Sequence, residues 1–332
     1  MFENKNILIT GGTGSFGKSL AKILLTKFNI KKLAIYSRDE AKQMSMAQEF
    51  SKYKKKLRFF IGDVRDRSRL TLAFRSIDYV IHAAALKQVP TAEYNPMECI
   101  KTNIHGGENV IHAALECNVK KIIALSTDKA VNPVNLYGAT KLASDKLFIA
   151  ANNMAGNHPC QFSVVRYGNV SGSTGSIIPY FRKLIKDKNK YLTITHEEMT
   201  RFWILLEESV YFVINSLKKM QGGEIFVPII PSIKITDLAK AIAPNLKHKI
   251  VGIRPGEKLH EVMCPKDESH LVRKFNNYYI IFPTIQFVNS NNVKNNFIMK
   301  GKKVEKNFEY NSRDNDHFLT ISQIRNLLKK IK

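Results

Sequence analysis

The chain has 332 residues, 44% of them hydrophobic, and a formal charge of +24, enough for a full core and for one large domain with a smaller one beside it. Cys99, Cys117, Cys160 and Cys264 show no C-x-x-C spacing, which argues against a zinc ribbon or a disulfide framework and fits a reducing cytoplasm. No apolar run is long enough to span a bilayer, a strand begins too close to Met1 to leave room for a signal peptide, and the lysines form no basic stripe with interleaved aromatics of the kind that nucleic acid needs.

Asn6 to Thr10 reads as an apolar strand that runs into G-G-T-G-S-F-G, with Gly11, Gly14 and Gly17 at G-x-x-G-x-x-G spacing and a helix from Lys18 to about Lys27. A strand, a glycine turn and a helix in that order let a pyrophosphate approach the backbone at a helix amino terminus, where N–H donors and the dipole favour anions. The second strand, Lys32 to Tyr36, ends in Ser37-Arg38-Asp39 with Lys42 one turn on. A hydroxyl and a guanidinium at this strand end suit a 2′-phosphate, so NADP is preferred to NAD, although Asp39 could still reach a ribose. Leu57 to Ile61 is the third strand; Asp63 behind it can accept from an adenine amino group while Val64 covers the ring. Tyr79 to His82 is the fourth, and the small residues from Ala83 let a cofactor lie against the backbone. Lys87 points into the same crevice, and His82 has a structural role.

Thr102-Asn103 opens a helix from Ile104 to about Glu116, Lys121 to Leu125 is the fifth strand and Phe162 to Tyr167 the sixth. Five or six βα units in series describe an α/β, doubly wound parallel sheet. The fifth strand leads into L-S-T-D-K-A-V-N-P-V-N-L-Y-G-A-T-K. Thr127, Asp128 and Lys129 therefore sit at the carboxyl end of a strand, where open α/β sheets place ligands. Tyr137 and Lys141 lie one turn apart on the next helix, and an adjacent ammonium favours the phenolate of a tyrosine.

After Gly168 the regular alternation stops. Residues 1–168 read as a dinucleotide-binding domain, 169–287 as mainly substrate-binding, and 288–332 as an Asn- and Lys-rich extension that ends in an amphipathic helix. Arg254 with Glu257 in R-P-G-E-K can clamp a diphosphate and accept from ribose hydroxyls.

With G-G-T-G-S-F-G, G-D-V, H-A-A-A and Y-x-x-x-K in this order, the chain resembles the extended short-chain dehydrogenases/reductases, Rossmann-fold enzymes that act on nucleotide sugars. L-S-T-D-K-A-x-N-P-x-N-L-Y-G-A-T-K, V-V-R-Y-G-N-V, M-T-R-F-W and G-I-R-P-G-E-K-L-H-E narrow the resemblance to the inverting UDP-N-acetylglucosamine 4,6-dehydratases, which begin pseudaminic acid synthesis and so serve flagellin glycosylation. Retaining hexose dehydratases carry T-D-E where this chain has Thr127-Asp128-Lys129, relatives that further epimerise the product have Met at the position of Tyr137, and membrane-anchored relatives carry amino-terminal spans. The family commonly reads G-S-R-G-S where this chain has Gly172-Ser173-Thr174-Gly175-Ser176, and Arg182 or Lys183 could compensate for the missing arginine.

The resemblance implies NADP contacts at Gly11, Thr13, Gly14, Ser15, Phe16, Gly17, Ser37, Arg38, Lys42, Asp63, Val64, Ala83, Tyr137 and Lys141, and substrate contacts at Lys87, Asn169, Arg201, Arg254 and Glu257. It implies a cytoplasmic homo-oligomer, expected to be a hexamer, that takes UDP-N-acetylglucosamine. In the implied mechanism Tyr137 takes the proton of the sugar O4 with Thr127 bonded to that oxygen, Lys129 takes the C5 proton and Asp128 protonates the departing C6 hydroxyl. Lys129 must be neutral part of the time, so its pKa is expected to be depressed by Lys141, by NADP⁺ or by burial. A C4 epimerase of the same fold, or a non-catalytic NADP sensor, is the competing reading; an epimerase needs Tyr137 and NADP but no Asp128–Lys129 pair.

Overall fold

The computed structural model describes residues 1–156, 158–172, 176–284 and 300–330. Ser173 to Gly175, and the Asn-rich stretch from 288 to 299, lie outside the described residues.

The amino-terminal half builds β1 (Asn6–Thr10), β2 (Lys32–Ser37), β3 (Leu57–Ile61), β4 (Tyr79–His82), β5 (Lys121–Leu125) and β6 (Gln161–Val165). They pair in parallel in the order β3-β2-β1-β4-β5-β6. The order reverses between β1 and β4, and ligands of open α/β sheets bind at that reversal, outside the carboxyl ends of the strands. β1 shows why the sheet is buried on both faces. Ile7 and Ile9 pack under the helices Ser15–Lys27 and Leu206–Lys219, Leu8 packs on the other side beneath Arg67–Phe74 and Gly106–Glu116, and all three are fully buried. Each such side chain contributes about 1.5–3 kcal/mol relative to exposure.

Several boundaries differ from the sequence reading. The first helix starts at Ser15, directly on the glycine turn, because Gly14 already has the extended conformation of an N-cap. β6 ends at Val165, where its pairing with β5 stops. Thr102 and Asn103 do not open a helix. They lie within a π-helical turn, Lys101–His105, that joins Pro96–Ile100 to Gly106–Glu116. The wide turn aims Asn103 at Leu86, whose N–H donates to Oδ1 (2.8 Å) and whose carbonyl accepts from Nδ2 (2.9 Å), pinning the loop after β4.

The second half introduces β7 (Asn169–Ser171), β8 (Tyr191–Ile194), β9 (Thr200–Leu205), β10 (Ile225–Pro228), β11 (Ser232–Lys234), β12 (Lys247–Ile250) and β13 (Val262–Cys264). β14 (Val272–Lys274), β15 (Tyr278–Ile281), β16 (Lys302–Lys303) and β17 (Tyr310–Asn311) follow. The division expected at residue 168 is crossed. β10 extends the main sheet in parallel beside β6, and β15, β14 and β16 continue it antiparallel to ten strands. Without β10 the edge of β6 would be left unpaired.

A second core gathers Ile178, Phe181, Leu192, Ile194, Trp203, Ile233 and Leu238. The residues expected to form a terminal extension complete both layers: β16 lies on the main sheet, β17 pairs with β13, and Leu319 and Ile324 are buried in the second core. Among the described residues no helix is long and apolar enough to cross a membrane.

Candidate active site

A crevice of about 780 Å³ opens at the carboxyl ends of β1, β2, β4 and β5. Every residue expected at the cofactor borders it, from Gly11 through the glycine turn, Ser37, Arg38, Lys42, Asp63 and Val64 to Ala83. Gly11 has φ +66°, and a Cβ there would stand 2.8 Å from the Ala84 amide nitrogen, so only glycine lets the two strand ends close into a cradle for a pyrophosphate. At the far wall the Asp39 carboxylate caps the helix Glu40–Glu49, accepting from the Lys42 N–H (2.9 Å) and pairing with Lys42 Nζ (2.7 Å). Asp63 pairs with Arg65 (2.7 Å) and with the exposed Arg38 (3.3 Å). The acid expected to meet an adenine amino group is therefore already engaged by two guanidiniums.

The floor beneath the crevice is a short 3-10 turn, Asp128–Ala130, capped by Thr127, whose Oγ1 accepts from the Lys129 N–H (3.3 Å) and donates to Asp128 Oδ1 (3.0 Å). Lys129 Nζ donates to the same Asp128 oxygen at 2.9 Å. Asp128 is fully buried, and among the described residues its Oδ2 has no hydrogen-bond partner. The helix Leu136–Met154 begins on Asn135, whose Oδ1 accepts from the Gly138 N–H (2.7 Å). Its first turn lies so close to the 3-10 turn that a Cβ on Gly138 would be 2.1 Å from the Lys129 carbonyl oxygen. That approach brings Tyr137 within reach of Thr127 and Lys129.

The electrostatics differ from the sequence reading. Burial pushes the Tyr137 phenol up to about 12, opposed by the charge of Lys129 and a hydrogen bond with Thr127. The cation acting most strongly on the phenol is thus Lys129 rather than Lys141. Burial lowers the pKa of Lys141 itself, with the Asp145 carboxylate one turn further along the helix resisting it. The expectation that Lys129 is depressed is corrected: burial does press it down, but Asp128 and Glu261 together outweigh burial and raise it. His82, buried on Thr10 (2.8 Å), is held neutral by burial and by Lys141, its pKa near 3.

Glu261 was not singled out from the sequence, although it closes the quoted motif G-E-K-L-H-E. It is 1% exposed, and its Oε1 lies 3.3 Å from Lys129 Nζ. Lys87 and Asn169 line the crevice. Arg201 and Arg254 do not. Arg201 is buried and donates to the carbonyls of Thr200, Lys258 and Leu259, while Arg254 is exposed on the loop after β12 and its N–H bonds Glu257. Glu257 stands between them, 3.6 Å from Arg201.

Residues 7–283 match the family model described as polysaccharide biosynthesis protein. The UDP-N-acetylglucosamine 4,6-dehydratase (inverting) of Campylobacter jejuni subsp. jejuni serotype O:2 is 62% identical over 95% of this chain and 94% of its own length. The UDP-glucose 4-epimerase of Rickettsia bellii is 46% identical over 85% of this chain and 84% of its own. The X-ray structure of Pen from Bacillus thuringiensis superposes with a TM-score of 0.89, at 35% identity over 99% of both chains.

Proposed function

The chain belongs to the polysaccharide biosynthesis protein family, extended short-chain dehydrogenases/reductases on a doubly wound sheet, and from that membership we propose that it is a C5-inverting UDP-N-acetylglucosamine 4,6-dehydratase. The observation that carries this reading is the 2.9 Å contact of Lys129 Nζ with Asp128 Oδ1, beside Tyr137 on the crevice floor. Moving one proton across that contact makes a neutral amine and a protonated carboxyl together, the base and the acid that an elimination requires.

The residues around Gly11 and along the crevice fit a dinucleotide, with its pyrophosphate on the turn before Ser15. Held by those residues, a nicotinamide would supply a hydride acceptor for C4 and a hydride donor for C6. Tyr137 removes the O4 proton, and the resulting ketone acidifies C5–H. Lys129 takes that proton while Asp128 protonates the C6 hydroxyl, which leaves as water. A proton that originates in solvent then reaches C5 from the opposite face, balancing the one that Tyr137 gives up to solvent. Each protein group ends the cycle with the protons it began with once solvent re-equilibrates Tyr137.

NADP rather than NAD is supported by Arg38 at the crevice rim and by the engagement of both Asp39 oxygens with Lys42, which competes with a ribose 2′-hydroxyl for that carboxylate. Arg38→Ala is expected to weaken NADP⁺ binding by about tenfold or more, the scale of one charge-assisted hydrogen bond, and NAD⁺ binding by less than about twofold. Titration of cofactor-stripped protein with each nucleotide checks this; equal losses would remove Arg38 from phosphate recognition. A place at the start of pseudaminic acid synthesis and a homo-oligomeric assembly follow from the resemblance.

The Rickettsia relative favours a second reading, a C4 epimerase, which has no use for an acid and base beside Tyr137. Proton NMR of the purified protein with UDP-N-acetylglucosamine in deuterated water separates the two. A new C6 methyl signal, deuterium at C5 and couplings of an L-arabino 4-keto sugar are expected; the galacto epimer alone would replace dehydratase by epimerase.

A further inference from the structure

Lys129 is gripped by two carboxylates at once, Asp128 at 2.9 Å and Glu261 at 3.3 Å, an arrangement that holds a proton on the amine rather than freeing it. Glu261 is the one with other options. Its Oε1 lies 3.7 Å from Arg201 Nε and its Oε2 3.8 Å from Lys258 Nζ, and among the described residues Oε2 has no hydrogen-bond partner. Arg201 cannot travel, because its two terminal nitrogens are tied to the carbonyls of Thr200, Lys258 and Leu259. It is shared between the buried Glu261 and the outer Glu257, 3.6 Å away and about a quarter exposed. Lys129, Glu261, Arg201 and Glu257 thus form a chain of alternating charge that runs outward from the Lys129 turn, and Glu257, about a quarter exposed, is its outer end.

We propose that Glu261 is a positioning residue that keeps Lys129 an ammonium until a ligand hydroxyl, donating to Glu257, draws it away from Arg201. Arg201 then turns its charge wholly on Glu261, whose hold on Lys129 slackens, and the amine passes its proton to Asp128. The base is armed by occupancy of the nucleotide end of the site. This deepens the dehydratase reading and rests on Lys129 as the C5 base. The groups that face Lys129 from the packed elements are Asp128 on its own turn, Tyr137 on the following helix, Arg201 on β9, and Lys258 and Glu261 on the segment before β13.

The test reads the amine directly. Lys129 borders the crevice with its side chain a quarter exposed, so a small acylating reagent reaches it, and the labelling rate at a fixed mildly alkaline pH follows the neutral fraction. The exposed Lys31 serves as internal standard. Peptide mass spectrometry of the full chain should show Lys129 labelling rise about tenfold in Glu261→Gln and about threefold in Glu257→Gln, a tenfold rise being one unit of pKa. The double variant should match Glu261→Gln alone, because Glu257 acts only through Glu261. An unchanged rate in folded Glu261→Gln overturns the proposal. So does a Glu257→Gln increment that persists in the Glu261→Gln background, which would mean direct action through space. If Glu261→Gln does not fold, Glu257→Gln still decides, since its carboxylate is at the surface: an unchanged rate there overturns the chain. Labelling needs no turnover. Missing product from UDP-N-acetylglucosamine with the expected rates would sink the dehydratase reading alone, and normal product with unmoved rates would sink only the relay.

Discussion

The Lys129→Met protein is expected to oxidise the sugar at C4 and stop there, releasing no 6-deoxy-4-keto product. A positioned general base is worth about 10²–10⁴ in rate, so turnover should fall by about a thousandfold while the protein still co-purifies with its nicotinamide nucleotide. Methionine keeps an unbranched side chain only one atom shorter, and the crevice residues that would hold the nucleotide remain. The fold will feel the change, because Asp128 and Glu261, both nearly inaccessible to water, lose a shared cation. Stranding a buried charge costs about 3–5 kcal/mol, so folding must be checked by circular dichroism before kinetics are compared. Product NMR and the nucleotide released on denaturation are the two readouts. Product at more than about a tenth of the parent rate would take the base assignment from Lys129.

Gly138→Ala should be nearly as damaging, although it touches no titratable group. The added methyl would sit 2.1 Å from the Lys129 carbonyl oxygen and 3.1 Å from Pro133 Cβ. Either the helix Leu136–Met154 retreats or the 3-10 turn is pushed towards the crevice, and both moves separate Tyr137 from Thr127 and Lys129. Overpacking of this kind costs about 1–3 kcal/mol. Displacing reacting groups by about 1 Å costs about a hundredfold in rate. Loss of about a hundredfold in kcat, with a melting temperature lower by several degrees, is the expected result. A variant with parental kcat would show that the contact between turn and helix does not set the geometry of the site.

How much was legible in the sequence follows from how local each determinant is. β1 to β5 announce themselves as short apolar runs that stop at glycine or polar residues, and the glycine turn, Asp39 and the Thr127–Lys129 turn sit at their ends. The direction of the Lys129 shift was not legible. Counting neighbours along the chain found cations near it, whereas the deciding partner, Glu261, comes from the far side of the second half and meets it only in three dimensions. The same distance hides the surroundings of Arg201, which the resemblance makes a substrate contact and whose terminal nitrogens donate to backbone carbonyls. β14, β16 and β17 span only two or three residues each, too short for an alternating pattern to register. Only their partners in the sheet define them.

The way residues 302–328 are woven into both cores also sets an order of events during synthesis. The parallel strands β1 to β6 can pair as they emerge, since each finds its neighbour among residues already made. The second core cannot follow suit: Phe181, Trp203 and Leu238 wait for Leu319 and Ile324, which leave the ribosome after almost everything they cover. A ribosome stalled in the 280s would therefore hold a finished cofactor cradle beside an apolar surface still waiting for its cover.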